Sequence, residues 1–275
     1  MKKDLKSNLK VGIVGAGNIG SNIAYMLLGT ASKIALIDIY EDFVKGRALD
    51  IKTASVIAGE DVEVTGGTSY ESIKEFDIVV ITAGATRKVG QSRDELASIN
   101  AQIVSEASKQ IAKFAPSSTI IVVTNPLDLM VYVAYKASGF NRNRVLGMAG
   151  ELDTARANLI DKNAKVFGFH NDEMLIESSL KGEEFEKLET TTKNGGATIT
   201  KLVGTSAYFA PAMGVVKMIK AMQNGGTVIA SVLDEGEIPF GREVELDRSG
   251  VKNILQKEIY NKVDVSNIKR SIENL

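Results

Sequence analysis

Five short runs rich in β-branched residues, at positions 11–14, 33–38, 61–65, 77–82 and 119–124, alternate with longer stretches at helical spacing, such as 21–28, 41–57 and 95–114. Apolar runs of that length suit strands buried on both faces, the condition of parallel strands covered by helices. Parallel neighbours need right-handed crossovers, so this succession predicts a doubly wound α/β sheet. One helix start is spelled out: Ser92-Arg93-Asp94-Glu95 fits a capping box, with Ser92 at the N-cap and Glu95 three positions on. Beyond about residue 150 the rhythm changes. A helix at 151–160 leads to apolar runs at 164–170 and 174–178, helices at 183–193 and 208–222, a strand at 227–233 and a mostly polar helical tail from 251. That half reads as mixed α+β, which divides the chain into domains 1–148 and 149–275.

Gly15-Ala16-Gly17-Asn18-Ile19-Gly20 falls directly after the first strand run and opens the first helix. The three glycines allow a tight turn, close approach of the backbone to a pyrophosphate, and close packing of helix on strand. Freed N–H groups and the helix dipole then attract phosphate. Glycine-rich turns are common, but Asp38 ends the second strand run, where a carboxylate binds the adenine-ribose hydroxyls and repels a 2′-phosphate. The first half therefore reads as a Rossmann-type domain, with NAD rather than NADP as cofactor.

Composition removes other chemistries. Lys and Arg number 33 against 34 Asp and Glu, so the net charge of −1 gives no electrostatic reason to expect nucleic acid or an anionic membrane as partner. There is no cysteine, which excludes disulfides and thiolate chemistry, and a single histidine excludes a histidine-rich metal cluster; no metal is expected. The first ten residues are basic but lack the apolar stretch of a secretory signal, and no apolar run approaches a membrane span. The expectation is a soluble, cytoplasmic protein.

Four stretches together carry a family resemblance: Gly46-Arg47-Ala48-Leu49-Asp50, the segment 82–93 (TAGATRKVGQSR), Val123-Thr124-Asn125-Pro126-Leu127-Asp128, and Leu152-Asp153-Thr154-Ala155-Arg156. Over residues 10–160 the chain resembles the lactate/malate dehydrogenase family, its malate branch in particular, and the likeness continues more patchily through His170 and the segment 204–211. The resemblance implies reversible oxidation of a 2-hydroxyacid, with a dicarboxylate as substrate and a homodimer or homotetramer as the assembly. It makes His170 the proton carrier, a task suited to a group titrating near neutrality, and Asp153 the carboxylate that fixes its tautomer. Arg156 matches the residue that grips the substrate carboxylate, where a planar bidentate donor is apt. Arg93 matches the arginine that polarises the keto oxygen. Its place in the first turn of a helix, where the dipole disfavours a cation, independently invites a functional explanation. Arg87 matches the arginine that takes the second carboxylate, where the lactate branch carries glutamine. Asn125 corresponds to a residue bonding the substrate oxygen, Val123 and Thr124 to backbone facing the nicotinamide ribose, and Asn100 to a cofactor contact.

Each residue also has a plainer reading. A lone histidine is more often structural than catalytic, Asp153 and Arg156 could be a surface pair three positions apart on a helix, and Arg87-Lys88 could be a solvated basic loop. Against the family pattern, the stretch between Arg156 and His170 and those at 174–183 and 236–244 look shortened. His170-Asn171-Asp172 stands where His-Gly-Asp is usual, and asparagine there would tolerate a left-handed backbone. Tyr132 and Lys136 have the Tyr-x-x-x-Lys spacing of short-chain dehydrogenases, a spacing that arises easily by chance, and the glycine pattern is not that family's. The remaining alternatives are a lactate-like dehydrogenase and a dinucleotide-binding protein without catalysis.

Overall fold

A computed structural model of the chain describes residues 8–85, 92–256 and 262–275. Six parallel strands, β1 (Lys10–Val14), β2 (Lys33–Ile37), β3 (Glu63–Gly67), β4 (Ile78–Ile81), β5 (Thr119–Val122) and β6 (Val145–Gly147), stand in the order β6-β5-β4-β1-β2-β3. This doubly wound order reverses between β1 and β4, and the carboxyl ends of those strands form the crevice where such sheets bind ligands. The helices between strands are α1 (Asn18–Met26), α2 (Glu41–Ala58), α3 (Arg93–Phe114) and α4 (Leu127–Ser138).

Alternation along the strands divides the core. Ile34 and Leu36 face one cluster, with Ile23 and Leu27 of α1, while Ala35 and Ile37 face the other, with Val104 and Ile111 of α3. Side chains buried this fully contribute about 1.5–3 kcal/mol each, so the strand runs are held from both sides. The third strand lies two positions later than the pattern suggests, at Glu63–Gly67, pairing Lys33 with Glu63 and Ile37 with Gly67. The Ser92 capping box forms: Ser92 Oγ accepts from the Glu95 N–H at 3.1 Å, and Glu95 Oε2 accepts from the Ser92 N–H at 2.9 Å.

The second half opens with α5 (Gly150–Ala157) and a hairpin of β7 (Lys165–Phe167) and β8 (Leu175–Glu177), followed by α6 (Gly182–Val203) and α7 (Phe209–Asn224). Then β9 (Gly226–Leu233), β10 (Pro239–Asp247) and β11 (Gly250–Ile254) extend the parallel sheet, with β9 antiparallel to β6 through Leu146–Val232 and Gly147–Ser231. One nine-stranded sheet thus runs through both halves. The polar tail, expected as helix from 251, is strand in β11 and, among the described residues, α-helix in α8 (Ser266–Glu273). Its first residues satisfy the edge of β10 before the chain can turn helical.

Candidate active site

The glycine loop lies at the carboxyl end of β1. Gly15 has φ +101°, and a Cβ there would stand 2.6 Å from the Ala83 nitrogen; one on Gly20 would stand 1.9 Å from the Gly15 oxygen. No side chain could occupy either place, which explains the spacing of these two glycines. Asp38 Oδ2 accepts the Ala16 N–H at 2.8 Å and Oδ1 the Tyr40 N–H at 3.2 Å, so the carboxylate ties the end of β2 to the loop. At the start of α1, Gly17 makes no side-chain cap, the first turn holds no acidic residue, and space around the Gly17 α-carbon is open. Uncapped N–H donors and the positive end of the helix dipole face that space, which fits the pyrophosphate of NAD.

Across the crevice, Asn100 is buried and braces two loops. Its Oδ1 accepts the Ala85 N–H at 2.7 Å, and its Nδ2 donates to the Asn125 carbonyl at 2.8 Å. Thr124 Oγ1 donates to the Ala83 carbonyl at 2.7 Å. Ile19, Val123 and Asn125 then form one wall of a cavity of about 290 Å³ whose other walls include Arg156, His170 and Ser206.

The polar cluster of this cavity is built on α5. Asp153 and Arg156, three positions apart, share a helix face, and Arg156 Nη1 lies 3.1 Å from Asp153 Oδ1. The other carboxylate oxygen lies 2.6 Å from His170 Nδ1. Asp153 is 2% exposed, so the pair is no surface ornament. With Nδ1 held, Nε2 is the nitrogen left for the cavity that His170 lines. Burial of the ring opposes its charge, but the charge and hydrogen bond of Asp153, helped by Asp128 and opposed by Arg156, bring its pKa above the ordinary histidine value. Arg156 donates to Asp153 through Nη1, while its Nε is buried without a hydrogen-bond partner. A carboxylate is the natural acceptor for it.

His170 reaches this position through Gly168, whose φ of +80° turns the chain where it bridges to Gly241 of β10. Among the described residues outside glycine, only Glu75 and Glu237 have positive φ, so Asn171 does not take the left-handed backbone its identity allows. Its side chain makes the turn instead, accepting the Glu173 N–H at 2.7 Å. The backbone of Arg93 lies in the first turn of α3, and Arg87 lies outside the described residues. The Tyr-x-x-x-Lys pair lies on the far part of α4, where Lys136 is engaged with Glu237 and stacks against Tyr132.

Sequence reasoning missed two partners. Asp128 Oδ2 accepts the His170 backbone N–H at 2.8 Å, and Ser231 Oγ donates to Asp128 Oδ1 at 2.6 Å. Asp128 was visible as the last residue of the Asn-Pro-Leu-Asp stretch, whereas Ser231 sits in an ordinary strand run and carries no sequence signal.

A dinucleotide loop facing an aspartate-held imidazole and a guanidinium defines a nicotinamide-dependent dehydrogenase. The lactate/malate dehydrogenase NAD-binding domain profile matches residues 9–147. The chain is 42% identical to a malate dehydrogenase of Nitratiruptor sp., over 91% of this chain and 89% of the relative. It is 39% identical to one of Thermoproteus tenax, over 90% of each. The structure matches that of malate dehydrogenase from Archaeoglobus fulgidus in complex with NADH, with TM-score 0.88 and 32% identity over 97% of this chain and 99% of that one. The chain belongs to the lactate/malate dehydrogenase family.

Proposed function

We propose that the protein is an NAD-dependent malate dehydrogenase, interconverting L-malate and oxaloacetate. The observation that carries this reading is the hydrogen-bonded row Arg156–Asp153–His170 in a cavity walled on the other side by the glycine-loop residue Ile19. NAD, held by the glycine loop and Asp38, would supply the acceptor for the hydride that leaves C2 of the substrate. Arg156 grips the carboxylate next to that carbon, Asn125 bonds the substrate oxygen, and His170 Nε2 takes the hydroxyl proton. Asp153 stabilises the imidazolium that results and fixes which nitrogen carries the proton beforehand. Arg93 polarises the keto oxygen in the reverse direction, and Arg87 pairs with the second carboxylate, as the family resemblance implies. Gly15, Ala16, Gly17, Asn18, Ile19, Gly20 and Asp38 hold the cofactor, with Asn100, Val123 and Thr124 shaping its nicotinamide end. On this reading residues 1–148 hold the cofactor and also bring Arg87, Arg93 and Asn125 to the substrate, while 149–275 bring Asp153, Arg156 and His170.

Initial rates at the NADH absorbance band test this, with oxaloacetate, pyruvate and longer 2-ketoacids in parallel, and NADPH beside NADH. Fast consumption with oxaloacetate and NADH is expected, and slow consumption with pyruvate or NADPH. Bound NADH that no ketoacid consumes would reduce the protein to a dinucleotide binder.

The working form is a homodimer or homotetramer in the cytoplasm. Supporting the oligomer, α1 packs against both α2 and α7, and the three helices expose Tyr25, Leu49, Val56, Ile57 and Met213, apolar surface of the kind that another subunit covers. Light scattering at micromolar protein should give a multiple of the chain mass, and a monomer throughout would overturn the assignment. Among the described residues no helix is long and apolar enough to cross a membrane.

A further inference from the structure

Between the helix that carries Asp153 and Arg156 and the histidine that pairs with Asp153, the chain returns through residues 158–164 and β7, a stretch shortened against the family pattern. Two side chains of this helix region that the mechanism above leaves unused hold that return. Thr154 Oγ1 accepts the Val166 N–H at 3.0 Å. Asn158, at the C-cap of α5, donates through Nδ2 to the Asp161 and Ala164 carbonyls at 2.9 and 2.8 Å. Four positions apart, the two lie on one side of the helix. Ala157, Ala164 and Val166 are buried in one cluster with Met174, which lines the cavity beside His170.

The Thr154 contact is unlike those of other helical threonines in the chain. Thr53, Thr192 and Thr200 each donate back to the carbonyl four residues earlier, whereas Thr154 turns its oxygen to a strand. Val166 is buried, so its N–H needs an acceptor inside the protein, and Thr154 supplies it. Gly168, bridged to Gly241, ties the same segment to β10 of the sheet. Thr154 ties it to α5, where Asp153 lies 2.6 Å from His170 Nδ1.

Resting on the reading of His170 as the proton carrier, we infer that Thr154 and Asn158 are positioning residues: by fastening β7 to α5 they set the distance at which the imidazole meets Asp153. The rival explanation is a stitch that stabilises the fold and leaves the ring where it is.

Neither residue carries a charge, so substituting them tests geometry alone. The charged groups around the ring are Asp153 and Arg156 of α5, Asp128 of α4, Lys193 of α6 and Asp172 in the cleft. Asp94 of α3, Glu173 and Arg270 of α8 lie in a second cavity that His170 also lines. Thr154→Val keeps all of them and the branched shape, and removes only the hydroxyl. Because the chain has one histidine, ¹⁵N-histidine labelling gives a single set of ring signals whose titration reads His170 directly, in the whole protein and without turnover. Burial opposes the charge on the ring and Asp153 supports it, so a slackened contact should lower the midpoint by about half a pH unit or more. The kcat for oxaloacetate should fall about tenfold or more while NADH affinity holds. Thr154→Ser keeps the acceptor and should leave both values near those of the unaltered protein. Asn158→Ala should move them in the same direction by less.

An unmoved midpoint in folded Thr154→Val, even with a lower melting temperature, overturns the inference. So does a Thr154→Ser variant that behaves like Thr154→Val. If Thr154→Val does not fold, an unmoved midpoint in Asn158→Ala overturns it. Absence of malate turnover in the unaltered protein would instead sink the proposed function, and the titration would still decide where the ring is held.

Discussion

The Arg156 side chain crosses α6 at Gly195, where a methyl group would stand 2.9 Å from Arg156 Cδ. The next residue continues the notch, since a Cβ on Gly196 would lie 3.2 Å from Arg156 Nη2. Two adjacent glycines inside a 22-residue helix sacrifice helix stability, and the gain is room for the guanidinium to lie flat between α5 and α6.

Gly195→Ala should therefore separate stability from binding. In a helix interior the change gains about 1 kcal/mol of intrinsic propensity, offsetting the crowding of a flexible side chain. The melting temperature should hold or rise, KM for oxaloacetate should increase about tenfold, and NADH affinity should stay constant. A lower melting temperature with KM unchanged would mean that the notch serves packing and not Arg156.

The raised pKa of His170 has opposite consequences for the two reaction directions. Malate oxidation starts from the neutral ring, so its kcat/KM falls as pH drops through the midpoint. Oxaloacetate reduction starts from the imidazolium and falls as pH rises through it. Asp153→Asn removes the strongest support for the charged ring and should move both limbs to lower pH. Turnover should drop about 10²–10⁴-fold, the usual worth of a positioned acid–base group. Limbs that stay in place would show that Asp153 only anchors Arg156.

Most of the parallel half was legible because β4 and β5 are uninterrupted β-branched runs and α2 and α3 are long, whereas β3 ends in two glycines and the three-residue β6 gave no run to read. The second half was less so for identifiable reasons. The helix expected at 183–193 runs on through Gly195 and Gly196 to Val203, and the Arg156 side chain lying against both glycines accounts for their place inside it. The tail was expected to be helical because its residues are polar, yet β11 is an edge strand whose solvent face is polar for the same reason. In the site, His170, Asp153 and Arg156 were found through family motifs. Asp128 took its meaning only when β7 brought the His170 main chain to it.

Gly20→Ala tests the cofactor loop. Its added methyl would overlap the Gly15 carbonyl at 1.9 Å, and backbone cannot swing aside as a side-chain tip can. Overpacking of this sort costs about 1–3 kcal/mol. The melting temperature should fall and NADH affinity should weaken at least tenfold, measured by quenching or calorimetry. Unchanged NADH binding would place the dinucleotide elsewhere.

Tyr132→Phe and Lys136→Ala should leave kcat and KM near their original values. Lys136 is engaged with Glu237 and stacks on Tyr132, and neither residue lines the cavity that holds His170 and Arg156. Exposed pairs of this kind contribute about 0–1 kcal/mol, so stability should move little as well. A collapse of turnover in either variant, with His170→Asn tolerated, would transfer the chemistry to the Tyr-x-x-x-Lys pair.

Arg87→Gln addresses specificity. Oxaloacetate differs from pyruvate by a second carboxylate, and a cleft that closes over that anion without a cation buries an unpaired charge. The penalty is several kcal/mol, enough for a change of about a hundredfold or more in kcat/KM. Glutamine keeps a hydrogen-bonding side chain of similar length and removes the charge, so oxaloacetate should lose that factor while pyruvate holds or gains. The ratio of the two kcat/KM values is the decisive quantity, because a general disturbance of the site lowers both equally. A ratio that does not move would assign the second carboxylate to another cation, and Lys193, which lines the same cavity as Arg156, is the next to test.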